Sequence, residues 1–112
     1  MFSFFRRDRD PSPDTISHED LAQLCKDGAG VIIDVREPAE FANGRVPGAR
    51  NMPLSQFNPE TLPRDQDVIL ICQAGGRSAR ALAACKSAGL TQVRHYKPGT
   101  GGWIAKGGQV ER

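Results

Sequence analysis

The sequence predicts an α/β domain with a mainly parallel central sheet flanked by helices on both faces. Two short aliphatic runs support this, residues 31–35 (VIIDV) and 68–72 (VILIC). Continuous apolar runs of this length are typical of strands that are covered on both sides. An alanine-rich stretch with helical composition follows the second run directly, and strands that alternate with helices favour parallel pairing.

The remaining elements follow from local signals along the chain. Ser17, followed by an acid three residues later, is typical of a helix start, and Gly28 ends that helix. Trp103 is expected as a core residue that anchors the end of the chain. The other predicted elements are a helical piece at 38–41, a short strand at 49–52, a helix at 78–88, a strand at 92–96, a glycine-rich turn at 98–102 and a short closing helix. Residues 1–13 are predicted as a flexible lead-in and 14–112 as the domain.

Composition excludes several classes of protein. The net charge of +2, from 15 basic and 13 acidic residues, argues against a nucleic-acid binder. No apolar stretch approaches the roughly 20 residues that a transmembrane helix needs. The three cysteines, Cys25, Cys72 and Cys85, form no C-x-x-C pair, so neither a disulfide framework nor a zinc site is predicted. Free thiols favour a reducing, cytoplasmic location.

The lead-in carries three aromatic residues and a short basic cluster. Phe2, Phe4 and Phe5 precede arginines that are interleaved with aspartates, so the cluster has little net field. The apolar run is too short for a signal peptide. Loose packing or disorder is the expected state of this segment, with docking to a partner or a membrane surface as the alternative.

The segment that carries chemistry is the unit from Val68 to Ala88. Cys72 ends a buried strand, and Gly75 and Gly76 lie in the loop that leads into the next helix. Ligand sites of α/β sheets lie at the carboxyl ends of strands, and such a loop can turn backbone N–H groups onto an anion. A thiol in that position should have a lowered pKa and act as a nucleophile. The hypothesis fails if the N–H groups turn away or if the sulfur is closed off from solvent.

Four ordered segments resemble the rhodaneses, the thiosulfate sulfurtransferases. They are residues 72–80 (CQAGGRSAR), 33–41 (IDVREPAEF), 44–51 (GRVPGARN) and 99–110 (GTGGWIAKGGQV), and the similarity extends from about Ile16 to Val110. Arg45 replaces the family's usual histidine, which leaves the substrate at the pocket rim in question, and Gln109 replaces a usual proline. Only four residues separate Cys72 from Arg77. Related cysteine phosphatases have five, so the resemblance favours sulfur over phosphate as the group transferred.

The resemblance implies a reaction through a persulfide on Cys72, for which no metal or organic cofactor is expected. Sulfur would pass from thiosulfate or a similar sulfane donor to cyanide, a thiol or a protein acceptor. The alternative is a protein-to-protein persulfide carrier with little thiosulfate turnover, and a phosphatase or arsenate reductase is a third possibility. The residues expected to bind substrate are Gln73, Ala74, Gly75, Gly76, Arg77, Ser78 and Arg36.

Several residues have two open interpretations. Arg77 either binds the anionic substrate or pairs with Asp34 to hold the loop in shape. Asp34 is expected to brace the loop, whereas Arg36 is expected at the pocket rim. Both glycines of the loop are expected at positions that exclude a side chain. Cys85 is expected in the core, with a relay or resolving thiol as its alternative, and Cys25 is expected to be peripheral.

Overall fold

A computed structural model describes residues 13–112 and confirms the predicted α/β architecture. Its strands are all parallel and lie in the order β2-β1-β3-β4. The predictions for the lead-in, including its aromatic and basic side chains, lie outside the described residues. The strands are β1 (Val31–Asp34), β2 (Arg50–Asn51), β3 (Val68–Ile71) and β4 (Val93–His95).

The helices begin and end near the predicted positions, with one exception described below. They are α1 (His18–Asp27), α2 (Pro38–Ala42), α3 (Gly76–Ser87) and α4 (Gly99–Ala105), and two short 3-10 turns cover Leu54–Gln56 and Pro59–Thr61. The Ser17 hydroxyl accepts a hydrogen bond from the Asp20 amide at 3.1 Å, which is the predicted cap of α1. No helix in residues 13–112 is long and apolar enough to cross a membrane.

The sheet separates two apolar layers, because alternate side chains of a strand point to opposite faces. Leu70 and Cys72 share one layer with Leu82 and Cys85 of α3. The other layer contains Ile69 and Ile71 of β3, Leu21 of α1 and Trp103 of α4. Both faces of β3 are therefore covered, which explains why its sequence is apolar throughout.

The predicted glycine-rich turn at 98–102 is wrong, because these residues begin α4. Tertiary contact overrides the low helix propensity of glycine here. A Cβ on Gly99 would overlap the Gln73 carbonyl oxygen, and one on Gly101 would lie 3.3 Å from it. The glycines thus let the first turn of α4 lie directly on the loop after Cys72, where the Thr100 amide donates to the Cys72 carbonyl at 2.8 Å.

Candidate active site

Three chemically active side chains lie at the carboxyl edge of the sheet. Asp34 and His95 are the last residues of β1 and β4, and Cys72 follows the last residue of β3. Adjacent parallel strands place these ends side by side, with Asp34 in register with Ile71 and His95 with Leu70. The sequence placed Cys72 and Asp34 at this edge, and the topology adds His95.

The loop after β3 turns back over the Cys72 sulfur. The Gly75 amide donates a hydrogen bond to Sγ at 3.1 Å, and the Ser78 amide donates another at 3.3 Å. The Ser78 hydroxyl oxygen lies 3.5 Å from the same sulfur. Ser78 lies in the first turn of α3, so the positive end of that helix also faces the thiol. The N–H groups converge on one atom, which is the geometry that a stabilised sulfur anion requires.

Two opposing effects set the pKa of the Cys72 thiol. Burial is the larger single effect and raises the pKa, because it disfavours the charged thiolate. Hydrogen bonds from the Ser78 side chain and from the backbone of Ser78, Ala74 and Gly75 lower it, and together they outweigh burial. The net pKa is therefore below that of an ordinary cysteine, which favours the nucleophilic form.

Access to the sulfur is restricted. Cys72 is only 1% exposed, so of the two conditions set from the sequence, the one that requires a sulfur open to solvent is not met. The other condition is met, because the N–H groups of the loop turn onto the sulfur. Its neighbours Gln73, Ala74 and Gly76 are exposed. In this conformation a donor has almost no direct access to the sulfur, so transfer requires residues around Cys72 to move.

The two loop glycines differ in what they require. Gly75 has a φ of +100°, and a Cβ there would overlap the Lys97 carbonyl oxygen. Gly76 has no positive φ and open space where a Cβ would stand. The expectation that both positions exclude a side chain is therefore right for Gly75 and wrong for Gly76.

Asp34 pairs with Arg36 and Arg77 pairs with Glu40, so the alternative in which Arg77 pairs with Asp34 is wrong. The Arg36 Nη2 and the Asp34 Oδ2 are 2.8 Å apart, and neither side chain is more than 4% exposed. Arg36 also donates to the carbonyl oxygen of Gly44 at 2.8 Å and to the side chain of Gln73 at 3.3 Å. Arg36 was expected at the pocket rim, but its guanidinium is instead held below the loop, because the buried carboxylate of Asp34 draws it inward.

Arg77 pairs with a residue that sequence reasoning did not consider. Its guanidinium binds both carboxylate oxygens of Glu40 in α2, at 2.7 and 2.9 Å. The hydrogen bonds from Arg77 lower the pKa of Glu40 from 4.5 to about 2, against the opposing effect of burial. The pair ties α2 to the start of α3. The signal that could have identified it is the acid at position 40 within the segment that resembles the family.

Ser78 links Cys72 to a histidine that the sequence analysis left unassigned. The Ser78 hydroxyl lies 2.8 Å from Nδ1 of His95, and both residues are buried. His95 is distant from every cysteine in the sequence, so only the pairing of β3 with β4 shows the contact. No pattern in the sequence identified it.

The other two cysteines occupy the predicted surroundings. Cys85 of α3 is fully buried in the core, and burial raises its pKa to about 11. Cys25 is partly buried in α1 and its pKa is raised, first by burial and then by the charge of Glu111. Within residues 13–112, no group of three His, Cys, Asp or Glu side chains could hold a metal ion.

The two departures from the family pattern both lie away from the sulfur. The Arg45 guanidinium stacks 4.6 Å above the Phe41 ring, and its Nη1 donates to the Phe41 carbonyl at 3.3 Å. The Gln109 carbonyl accepts a hydrogen bond from the Trp103 indole at 2.7 Å. A proline carbonyl could accept the same bond, so this replacement leaves the contact intact.

Most of the described chain is similar to known proteins. Residues 17–106 match the family model of the rhodanese-like domain. The chain is 34% identical over 95 residues to a sulfurtransferase of Allochromatium vinosum, covering 82% of this chain and 89% of that protein. It is 30% identical over 108 residues to the human thiosulfate:glutathione sulfurtransferase, covering 82% and 94%.

Other relatives are longer. An uncharacterized protein of Synechocystis sp. is 37% identical over 95 residues, which cover 83% of this chain but 53% of that protein. The chain thus spans about half the length of that relative, and 61% of another from Bacillus subtilis. Among solved structures, a rhodanese-related protein of Thermoplasma volcanium superposes with a TM-score of 0.77 at 32% identity, covering 87% of this chain and 96% of that one. On the match over residues 17–106 and these relatives, the chain belongs to the rhodanese-like domain family.

Proposed function

We propose that the protein is a sulfurtransferase that carries sulfur as a persulfide on Cys72. One observation carries the proposal: the amides of Gly75 and Ser78 both donate to the Cys72 sulfur, at 3.1 and 3.3 Å. Donors fixed around an atom that bears negative charge stabilise that charge without reorganisation during the reaction. The thiolate, the attacking state and the persulfide anion all benefit from such donors.

The reaction has two displacement steps. In the first, the Cys72 thiolate attacks the outer sulfur of thiosulfate, an S–S bond forms on Cys72, and the S–S bond of thiosulfate breaks with release of sulfite. In the second, an acceptor nucleophile attacks the outer sulfur of the persulfide, and the electron pair of the broken bond returns to Cys72 as thiolate. The two steps balance without a metal or an organic cofactor.

The loop residues have separate roles in this proposal. The backbone of residues 73–76 surrounds the transferred sulfur, with Gln73, Ala74 and Gly76 at the solvent side. Ser78 supplies an amide and a hydroxyl to the Cys72 sulfur. Arg77 remains about a third exposed while paired with Glu40, so it is available to an anion at the loop. Asp34 and Arg36 brace the loop from below, through the hydrogen bond from Arg36 to Gln73.

The donor and the acceptor are proposed from relatives and from charge. Two relatives are named as sulfurtransferases, and one of them as transferring sulfur from thiosulfate to glutathione. A small anionic sulfane compound suits a cradle of N–H groups next to a helix N-terminus. We therefore take thiosulfate as the donor, a low-molecular-weight thiol as the cellular acceptor, and cyanide as a convenient acceptor for the assay.

One observation favours a second candidate, a protein-to-protein persulfide carrier. Because Cys72 is 1% exposed, a small donor in solution has little direct access to the sulfur. A protein donor that binds over the loop could displace it during docking. In that case thiosulfate would load Cys72 slowly, and a persulfide-bearing partner protein would load it quickly.

The deciding experiment measures loading and turnover in the same preparation. Intact mass after incubation with thiosulfate should show a gain of one sulfur, and addition of cyanide should release thiocyanate. Cys72→Ala should abolish both signals, whereas the matched variant Cys25→Ser should retain them. A thiocyanate yield from Cys72→Ala equal to that of the unaltered chain would refute the proposal. Loading by a persulfidated protein but not by thiosulfate would select the carrier, and turnover of an aryl phosphate would reopen the phosphatase alternative.

A further inference from the structure

The Ser78 hydroxyl contacts three polar partners at once. Its oxygen lies 2.8 Å from Nδ1 of His95, 3.2 Å from the Gly75 carbonyl oxygen and 3.5 Å from the Cys72 sulfur. Ser78 and Cys72 are at most 1% exposed and His95 is 7% exposed, so bulk water has little access to this chain of atoms. The three side chains are therefore linked to one another and to the loop backbone and not to bulk water.

Counting protons limits the states that this chain can adopt. A serine hydroxyl has one proton to donate and two lone pairs to accept with. When Cys72 is a thiol, it donates to Ser78, and the hydroxyl proton of Ser78 then goes to its nearest acceptor, Nδ1 of His95. When Cys72 is a thiolate, the hydroxyl donates to the sulfur instead, because a hydrogen bond to an anion is the stronger one. Nδ1 must then carry a proton, since otherwise two lone pairs would face each other at 2.8 Å.

We propose that Cys72, Ser78 and His95 form a proton relay in which His95 takes up the thiol proton through Ser78. The S–H bond of Cys72 breaks as an O–H bond forms on Ser78, and the original O–H bond of Ser78 breaks as an N–H bond forms at Nδ1. The starting state is the neutral imidazole with its proton on Nε2, so the products are a thiolate and an imidazolium, and no proton leaves the protein. His95 is thus a positioning residue that acts on the sulfur through Ser78.

The surroundings of His95 keep it ready to accept a proton. Burial lowers its pKa, the charge of Lys97 lowers it further, and Asp14 raises it in part. His95, Lys97 and Asp14 line one surface cleft. Lys86 of α3 lines it too and pairs with Asp14, which weakens the effect of that carboxylate. A histidine with a lowered pKa is a free base at neutral pH, which is the form that a proton acceptor needs. The negative sulfur then stabilises the imidazolium that forms.

The relay rests on the proposed function only in that Cys72 is the reactive sulfur, so its test measures acid–base behaviour and not turnover. Alkylation of Cys72 by iodoacetamide, followed by peptide mass across a pH series, reports the thiolate fraction. His95→Asn places an amide near Nδ1 that can hydrogen-bond to Ser78 but cannot take up a proton. We expect the apparent pKa of Cys72 to rise by one unit, with about tenfold slower alkylation at neutral pH.

A double variant distinguishes a relay from two independent effects of Ser78 and His95 on the alkylation rate of Cys72. Ser78→Ala should slow alkylation at least as much as His95→Asn, and the double variant should be no slower than Ser78→Ala alone, because either change breaks the same chain. An unchanged pH profile in a folded His95→Asn protein, or additive losses in the double variant, would overturn the relay.

A second measurement leaves His95 in place, so it stands even if His95→Asn does not fold. The nitrogen-15 shift of Nδ1 of His95 reports whether that nitrogen carries a proton. In the unaltered chain the proton should persist to a pH about one unit higher than in Cys72→Ala, because coupling between two titrating groups is reciprocal. Identical titrations in the two proteins would refute the relay. Sulfur transfer could still occur in that event, and a coupled titration without sulfur transfer would instead refute the proposed function alone.

Discussion

Gly75 supplies the sharpest test of the loop geometry. Its alanine variant should change both the free energy of unfolding and the pKa of Cys72, and each change can be worked out separately. The residue has a φ of +100°, and a Cβ would overlap the Lys97 carbonyl oxygen. An L side chain in the left-handed region costs about 1–2 kcal/mol, and relieving overlap in a packed region costs about 1–3 kcal/mol. We therefore expect Gly75→Ala to lower the free energy of unfolding by about 2–5 kcal/mol.

Two other glycines provide matched controls. Gly28 has a φ of +66° but nothing within 4 Å of a Cβ, so Gly28→Ala should lose only the conformational share, about 1–2 kcal/mol. Gly76 begins α3 with open space and no positive φ. Gly76→Ala should therefore be neutral or raise stability by up to about 1 kcal/mol. Urea denaturation of the three variants with equal m-values measures the series.

The same variant should change the reactivity of the sulfur. Moving the Gly75 amide away from the Cys72 sulfur removes a donor that lies at 3.1 Å. Hydrogen bonds to charged groups are worth about 1.5–3 kcal/mol, so the pKa of Cys72 should rise by at least about one unit. Alkylation of Cys72 at neutral pH should then fall about tenfold, while Gly28→Ala should react like the unaltered chain. If Gly75→Ala costs no more than Gly28→Ala and leaves alkylation unchanged, the cradle does not act on the sulfur as argued.

Two further predictions concern the ion pairs around the loop. Asp34→Asn leaves the Arg36 guanidinium buried without its anion, so the free energy of unfolding should drop by about 3–5 kcal/mol; a loss below about 1 kcal/mol in urea denaturation would contradict this. The pKa of Glu40 falls from 4.5 to about 2 on folding, so its pair with Arg77 stabilises the protein above pH 4.5 and is lost as the pH falls toward 2. Because the pair is about a third exposed, the stability difference between the unaltered chain and Glu40→Gln should be at most about 1 kcal/mol at neutral pH. It should shrink across that acidic interval, and a difference that stays constant in acid denaturation would refute the assignment.

The sequence alone determined the features that depend on neighbouring residues. The two apolar runs identified the central strands, and a strand followed by a glycine-bearing loop and an alanine-rich helix placed Cys72 at a strand end. Hydrophobic periodicity and capping residues act over a few positions, so they can be read without knowledge of the fold. The same local signals located α1 and its cap at Ser17.

Only the tertiary structure decided which distant side chains meet. Glu40 and Arg77 are 37 residues apart in the chain, and Ser78 and His95 are 17 apart, yet each pair is in direct contact. The glycines of α4 read as a turn, because glycine disfavours helices locally and nothing in the sequence shows that a loop packs against them. Likewise the closure of the loop over Cys72 depends on the docking of α4 and on the Lys97 carbonyl beside Gly75. These contacts arise when parallel strands bring remote segments to the same edge of the sheet, and a pattern of neighbouring residues carries no record of that proximity.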